Sequence, residues 1–207
     1  MSIVFHQHHA KISRKIGKAL GLNESELENL RIAALLHDVG EILLTSDIMG
    51  SNDIFDVDMQ EVLHMHPQFG EKYLKKYLSE LDEIPSIIRW HHERWDGLGY
   101  PDNLKGEEIP KSARILALSD AVSAMSHTRE YRGHQYANSD EILFELESQA
   151  GLQFDPDLVK LWSSLVRKEA AEAAAKLAQQ EAVRVQQEIQ NRHGINVDFS
   201  IEGDETK

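Results

Sequence analysis

Apolar residues recur at three- and four-residue spacing along most of the chain, the period of amphipathic helices rather than the alternation of strands. Prolines and clusters of Gly, Asn and Asp cut this pattern into the segments of an expected all-α helical bundle. A first helix is expected over residues 6–20, stopping at Gly21, where LGLNESE supplies a C-terminal glycine and then a new N-cap. The second, Ser25 to Gly40, puts Leu27, Leu30, Ala33, Ala34 and His37 on one side. Residues 45–57 read as a loop, and further helices are expected at 58–64, 67–79, 84–92, 110–127, 139–149 and from 155 onward. Between Trp95 and Pro110, three glycines and two prolines forbid a continuous helix and predict a structured loop.

From Ser163 to Arg192 the composition shifts to Ala, Glu, Gln, Lys and Arg, all strong helix formers, so one long helix is expected. Its apolar positions Leu177, Val183, Val185 and Ile189 keep no strict heptad, which leaves a solvated helix and a homodimer helix equally open. The tail after Gly194, ending IEGDETK, has the composition of a disordered segment. The expected organisation is a metal-binding domain over 1–166, an extended C-terminal helix over 167–193 and an acidic tail over 194–207.

Composition narrows the chemistry. The chain lacks cysteine, which excludes disulfides and thiolate metal sites, and leaves His, Asp and Glu as the candidate metal ligands. Eleven histidines among 207 residues supply them generously. Acidic residues outnumber basic ones by 35 to 22, a formal charge of −13, which disfavours binding to a nucleic-acid polymer or an anionic membrane. An anionic substrate would therefore need a local cationic centre. No apolar run approaches eighteen residues, and MSIVFHQHH lacks a basic leader followed by an apolar stretch, so a cytoplasmic protein without membrane insertion is expected.

Two acids stand in apolar surroundings. His37 and Asp38 close the run IAALLHDVG, and Asp120 lies in ARILALSDAVSAM with Ala113, Ala117 and Ala124 on its face. A buried carboxylate needs compensation, either from an arginine such as Arg89 or Arg114 or from a cation. His91 and His92 are consecutive, and two adjacent imidazoles in a core helix are hard to satisfy with protein partners alone. His66 precedes Pro67 at a helix start, where its ring can swing into a central pocket, whereas His64 faces elsewhere and reads as surface. His37, Asp38, His66, His91, His92 and Asp120 thus form an ordered series of nitrogen and oxygen donors suited to first-row metal ions. Two such ions ~3.5–4 Å apart polarise a phosphoryl oxygen and activate water for in-line attack.

The string HHERWDGLGYP, followed by LKGEEIPKSARILALSDAVSAM, HTREYR and GLQFDPDLV, resembles the HD-GYP family of metal-dependent phosphohydrolases over residues 6–166. This resemblance implies a helical bundle holding two divalent or mixed-valence metal ions, iron or manganese, that opens cyclic di-GMP to pGpG or GMP. It implies His37, Asp38, His66, His91, His92 and Asp120 as ligands, Asp38 and Asp120 as catalytic acids, and Arg129, Arg132, Gly99 and Tyr100 as substrate contacts. It also implies a first-helix histidine, for which His6, His8 and His9 compete and His9 is preferred. A diguanylate cyclase (GGDEF) domain becomes a candidate partner.

Three departures matter. Glu41 stands where the family carries a phosphate-binding lysine, and either joins the metal cluster or repels the substrate. No acid lies one turn before the first-helix histidines, which favours two metals over three. Ser123 replaces an acid common in the family. The leading expectation is a cyclic di-GMP phosphodiesterase; the alternative is a weak or inactive module that binds the dinucleotide or a partner protein.

Overall fold

The computed structural model describes residues 3–42, 44, 62–126 and 139–193, and among these there is no strand. Helix α1 (Ile3–Ala19) ends at Gly21, whose φ of +76° suits a residue without a side chain, and the Leu22 amide closes onto the Gly17 carbonyl. Asn23 caps α2 (Glu24–Leu36): its Oδ1 accepts from the Ser25 and Glu26 amides while Glu26 reaches back to the Asn23 amide. There follow α3 (His66–Tyr77), α4 (Ile84–Arg89), a 3-10 turn (Gly106–Glu108), α5 (Lys111–Ser126), α6 (Ser139–Ser148) and α7 (Pro156–His193).

Two helices are shorter than their periodicity predicts. Helix α2 stops at Leu36 rather than Gly40; His37 and Asp38 make a turn, and residues 39–42 are helical again. The His37 ring donates Nδ1–H to the Ala34 carbonyl, competing with the amide that a straight helix would bring there. Helix α4 stops at Arg89, so His91 and His92 lie in a turn and not in the expected core helix. The His91 ring takes the Ile88 carbonyl in the same way. Local side-chain hydrogen bonds end both helices where the site begins.

Helix α5 is the centre of the bundle: Ala113, Ile115, Leu116, Leu118, Ser119, Val122 and Ser123 are buried, so it has no solvent stripe to show as amphipathicity. Helix α1 packs on α2 and α5, and α3 packs on α4. Ala10, Ala33, Ala34, Leu74, Ile84, Ile87, Ile88 and Leu116 join these helices into one apolar cluster, each large aliphatic contributing about 1.5–3 kcal/mol. Gly40 marks the tightest approach: a Cβ there would sit 1.9 Å from the His66 carbonyl oxygen, so the absence of a side chain lets the His37–Asp38 segment lie against the start of α3.

By its contacts the chain divides into two compact units, Met1–Ser163 and Ser164–Lys207. In the second, Leu177, Val183, Val185 and Ile189 are exposed along α7. The tail over 194–207, the loop over 45–57 and most of the helix expected at 58–64 lie outside the described residues. Among the described residues, no helix is long and apolar enough to cross a membrane.

Candidate metal centre

Five of the six residues in the expected series arise where a helix begins or ends, and the sixth, Asp120, comes from mid-α5; the structure brings all six together. Asp38 spans the middle: its Oδ2 lies 3.1 Å from His37 Nε2 and its Oδ1 lies 3.8 Å from His66 Nε2. Asp120 Oδ1 is 3.6 Å from His37 Nε2 and 3.9 Å from His9 Nδ1. His66 Nε2 faces His91 Nε2 at 3.4 Å. Neither arginine weighed as a partner for Asp120 takes that role, since Arg89 pairs with Glu71 and Asp102, and Arg114 pairs with Asp155.

Four rings are held by backbone carbonyls. His37 bonds to Ala34, His66 to Leu63, His91 to Ile88 and His9 to Leu116, at 2.6–3.2 Å. A carbonyl can only accept, so the bonded nitrogen carries the proton, and in a neutral ring the other nitrogen presents a lone pair to the centre. The Nε2 lone pairs of His66 and His91 then point at one another, an arrangement that a shared cation relieves. His9 Nδ1 is buried without a hydrogen-bond partner. Among the described residues, donor atoms fall into three groups, each within 4.8 Å, the last two sharing His37: His66, His91 and His92; His6, His37 and Asp38; and His9, His37 and Asp120. This nitrogen and oxygen set fits a divalent first-row metal ion.

Among the three first-helix histidines, the preferred His9 reaches the centre fully buried. His6, one turn earlier, reaches it too, its ring centroid 5.5 Å from that of His37, whereas His8 turns to Ser123 Oγ at 3.3 Å. The sequence offered the three as alternatives for one position; residues three apart share a helix face, which lets two of them serve.

Burial shapes the titration of the cluster. It lowers His9 and His92 to about 3, assisted in both by the charge of His37, and it holds His91 well below its ordinary value. At His37 burial also pulls downward, but the Asp38 hydrogen bond and the charges of Asp38 and Asp120 win and raise it to about 9. Burial pushes the Asp38 carboxyl up, yet its bond to His37 leaves it below the usual value. Glu41, half-buried, is raised by burial and by the charge of Asp38.

These shifts give a pH profile for chelator-treated protein. Between about pH 3 and 6.5 the unfolded chain binds protons that folded His9 and His92 refuse, so stability falls on acidification, by about 1.4 kcal/mol per pH unit for each. His37 has the opposite sign: its contribution is fully present below about 6.5 and is lost as pH rises to about 9. Thermal melts are expected to peak near pH 6.5, and a steady rise through pH 9 would contradict the His37 environment.

The loop over residues 93–105 walls one side. Glu93, buried beside His92, accepts the Asp102 amide at 2.7 Å and the Leu104 amide at 3.1 Å. Asp102 accepts from Arg89 Nε and Nη2 and from the Trp90 indole. Gly99 is packed so closely that a Cβ would meet the Arg94 amide at 2.3 Å. Beside them opens a cavity of about 430 Å³ whose wall includes His64, His91, His92, Gly99, Tyr100 and Asp120. Sequence reading passed over Glu93, although an acid directly after two histidines was a signal. His64 is exposed, as expected, but it lines the cavity. Arg129 and Arg132 lie outside the described residues.

An all-α bundle whose histidines and aspartates meet at one polar centre defines a helical divalent-metal domain. The chain belongs to the HD domain family, whose sequence profile matches residues 4–158, and it is of the HD-GYP type. HD-domain phosphohydrolases use divalent metals. It is 33% identical over 156 residues to the 3'3'-cGAMP-specific phosphodiesterase 2 of Vibrio cholerae serotype O1, covering 75% of this chain and 30% of that protein. Identity is also 33% over 156 residues to the cyclic di-GMP phosphodiesterase response regulator RpfG of Xanthomonas campestris pv. campestris, covering 75% and 41%. A cyclic di-GMP phosphodiesterase of Thermotoga maritima is 31% identical over 167 residues, covering 79% and 45%. The chain thus spans less than half the length of these relatives. The crystal structure of a cyclic GMP-AMP specific phosphodiesterase of V. cholerae shares the fold, with a TM-score of 0.60 at 24% identity over 79% of this chain and 44% of that one.

Proposed function

We propose that the chain is a metal-dependent phosphodiesterase that hydrolyses cyclic di-GMP to pGpG or GMP. One observation carries the reading: His66 and His91 present facing Nε2 atoms at 3.4 Å while Asp38 reaches both His37 and His66. His37, Asp38, His66, His91, His92 and Asp120, with His9 from α1, would hold two ions, iron or manganese. When bound, the ions supply Lewis-acid polarisation of a phosphoryl oxygen and lower the pKa of water. The chain supplies the rest. Backbone-tethered imidazoles fix the donor positions and need little reorganisation on loading. Asp120, on the cavity wall, is positioned to take a proton at a carboxylate oxygen. Gly99 and Tyr100 shape the mouth, and Arg129 and Arg132 contribute positive charge for the phosphates. Names of relatives that act on cyclic di-GMP or 3'3'-cGAMP support a cyclic dinucleotide as substrate.

The experiment is elemental analysis of the purified protein followed by product analysis with labelled cyclic di-GMP and 3'3'-cGAMP under anaerobic iron or manganese. About two metal ions per chain and linear product are expected; intact cyclic di-GMP after loading would overturn the hydrolytic reading. Glu41 favours the second reading, a weakly active or inactive module, because it adds an acid near Asp38 where a cation would attract phosphate. In that role the loop, with Leu98 77% exposed, would dock a diguanylate cyclase (GGDEF) domain, and the exposed apolar residues of α7 would support a homodimer.

A further inference from the structure

Tyr100 belongs to the loop that walls the cavity, yet its ring already has two neighbours. His92 stacks on it at 4.9 Å with 25° between the planes, and His64 stacks on it at 4.5 Å with 26°. The three rings form a continuous aromatic run. It starts at His92, whose ring also meets those of His66 and His91 at the metal centre, and it ends at His64. His64 is exposed, sits in the turn just before α3 rather than within a helix, and lines the same cavity as Asp120 and His92. Tyr100 is thereby engaged with two imidazoles, and His64 is the member of the run that offers ring surface to an incoming molecule. Purine bases stack on aromatic side chains, histidine among them, and gain affinity without a specific hydrogen-bond code.

We infer that His64 is a substrate-contacting residue, stacking its exposed ring on one purine of the cyclic dinucleotide while the phosphodiester lies toward Asp120 and the histidine cluster. Tyr100 is a positioning residue that keeps His64 and His92 in one run. This assignment rests on the cyclic-dinucleotide reading above and adds to it the residue that grips a base. It also accounts for how an acidic chain with Glu41 near its centre holds a doubly anionic ligand, since a stacked base contributes without any cation.

The test uses the metal-loaded full chain, with KM for cyclic di-GMP and, by calorimetry, Kd for its cleavage-resistant bisphosphorothioate analogue. His64→Ala is expected to raise both about tenfold, with kcat within about twofold and metal per chain unchanged. His64→Phe, which keeps a π face and discards the ring nitrogens, is expected to restore both to within about threefold of the parent chain. Wild-type Kd in His64→Ala would overturn the assignment, as would failure of His64→Phe to restore binding or a drop in metal content. A wild-type chain that neither binds the analogue nor cleaves cyclic di-GMP would overturn the cyclic-dinucleotide reading itself, whereas binding without cleavage leaves the Kd comparison decisive.

Discussion

Asp38→Ala is expected to strip the protein of metal and of hydrolysis together. The two oxygens of Asp38 reach different histidines, at 3.1 Å and 3.8 Å, so its loss damages more than one donor group at once. Loss of a supporting partner alone costs about 10–100-fold in metal affinity, and loss of a donor should exceed that. Metal per chain should fall below about a tenth of the parent value, and turnover by about three orders of magnitude, or 4 kcal/mol of barrier. Inductively coupled plasma analysis and a cyclic di-GMP cleavage assay on the same preparation check it. Full metal content with abolished turnover would move Asp38 from ligation to substrate handling. The substitution also leaves the raised His37 without its main anionic partner, so folding should be monitored by circular dichroism.

Glu41→Lys is expected to work in the opposite direction and to raise kcat/KM for cyclic di-GMP. Glu41 is half-buried and feels the charge of Asp38, which makes its carboxyl part of the centre's electrostatic environment. Replacing an anion by a cation changes the charge by two units. With a phosphate about 8 Å away and an effective dielectric of about 20, each unit contributes about 2 kcal/mol before screening, so a tenfold or larger gain is expected at low salt. Initial rates at two ionic strengths check it, the gain shrinking as salt rises. An unchanged or lower rate would argue against repulsion, and reduced metal content beside it would assign Glu41 to the metal cluster.

Much of the site was legible because its residues are chemically out of place. Asp120 amid Ile115, Leu116 and Val122, and His91 beside His92, are residues that an apolar core does not tolerate without a reason. The helical class followed equally directly from the apolar period, including the long run that became α7. What escaped was where the helices stop. Periodicity predicted α2 through Gly40 and α4 through His92, but it does not register that His37 and His91 take their own helices' carbonyls, and those bonds end the helices. The pairing of His6 with His9 escaped for a related reason. Spacing says that the two share a face, but only the packing of α1 against α2 and α5 says which way that face looks. His64 was read as surface, correctly by exposure, but its stacking on Tyr100 joins residues 36 positions apart and leaves no local trace.

The four carbonyl tethers have an effect that reaches beyond the donors themselves. They issue from Ala34, Leu63, Ile88 and Leu116, one at each of four separate stretches of backbone. Ring orientation is therefore slaved to main-chain position, and a cation gripping several rings would act as a rivet through four segments at once. Occupancy and rigidity of the bundle become a single quantity, readable in the amide exchange of residues that never touch the ion.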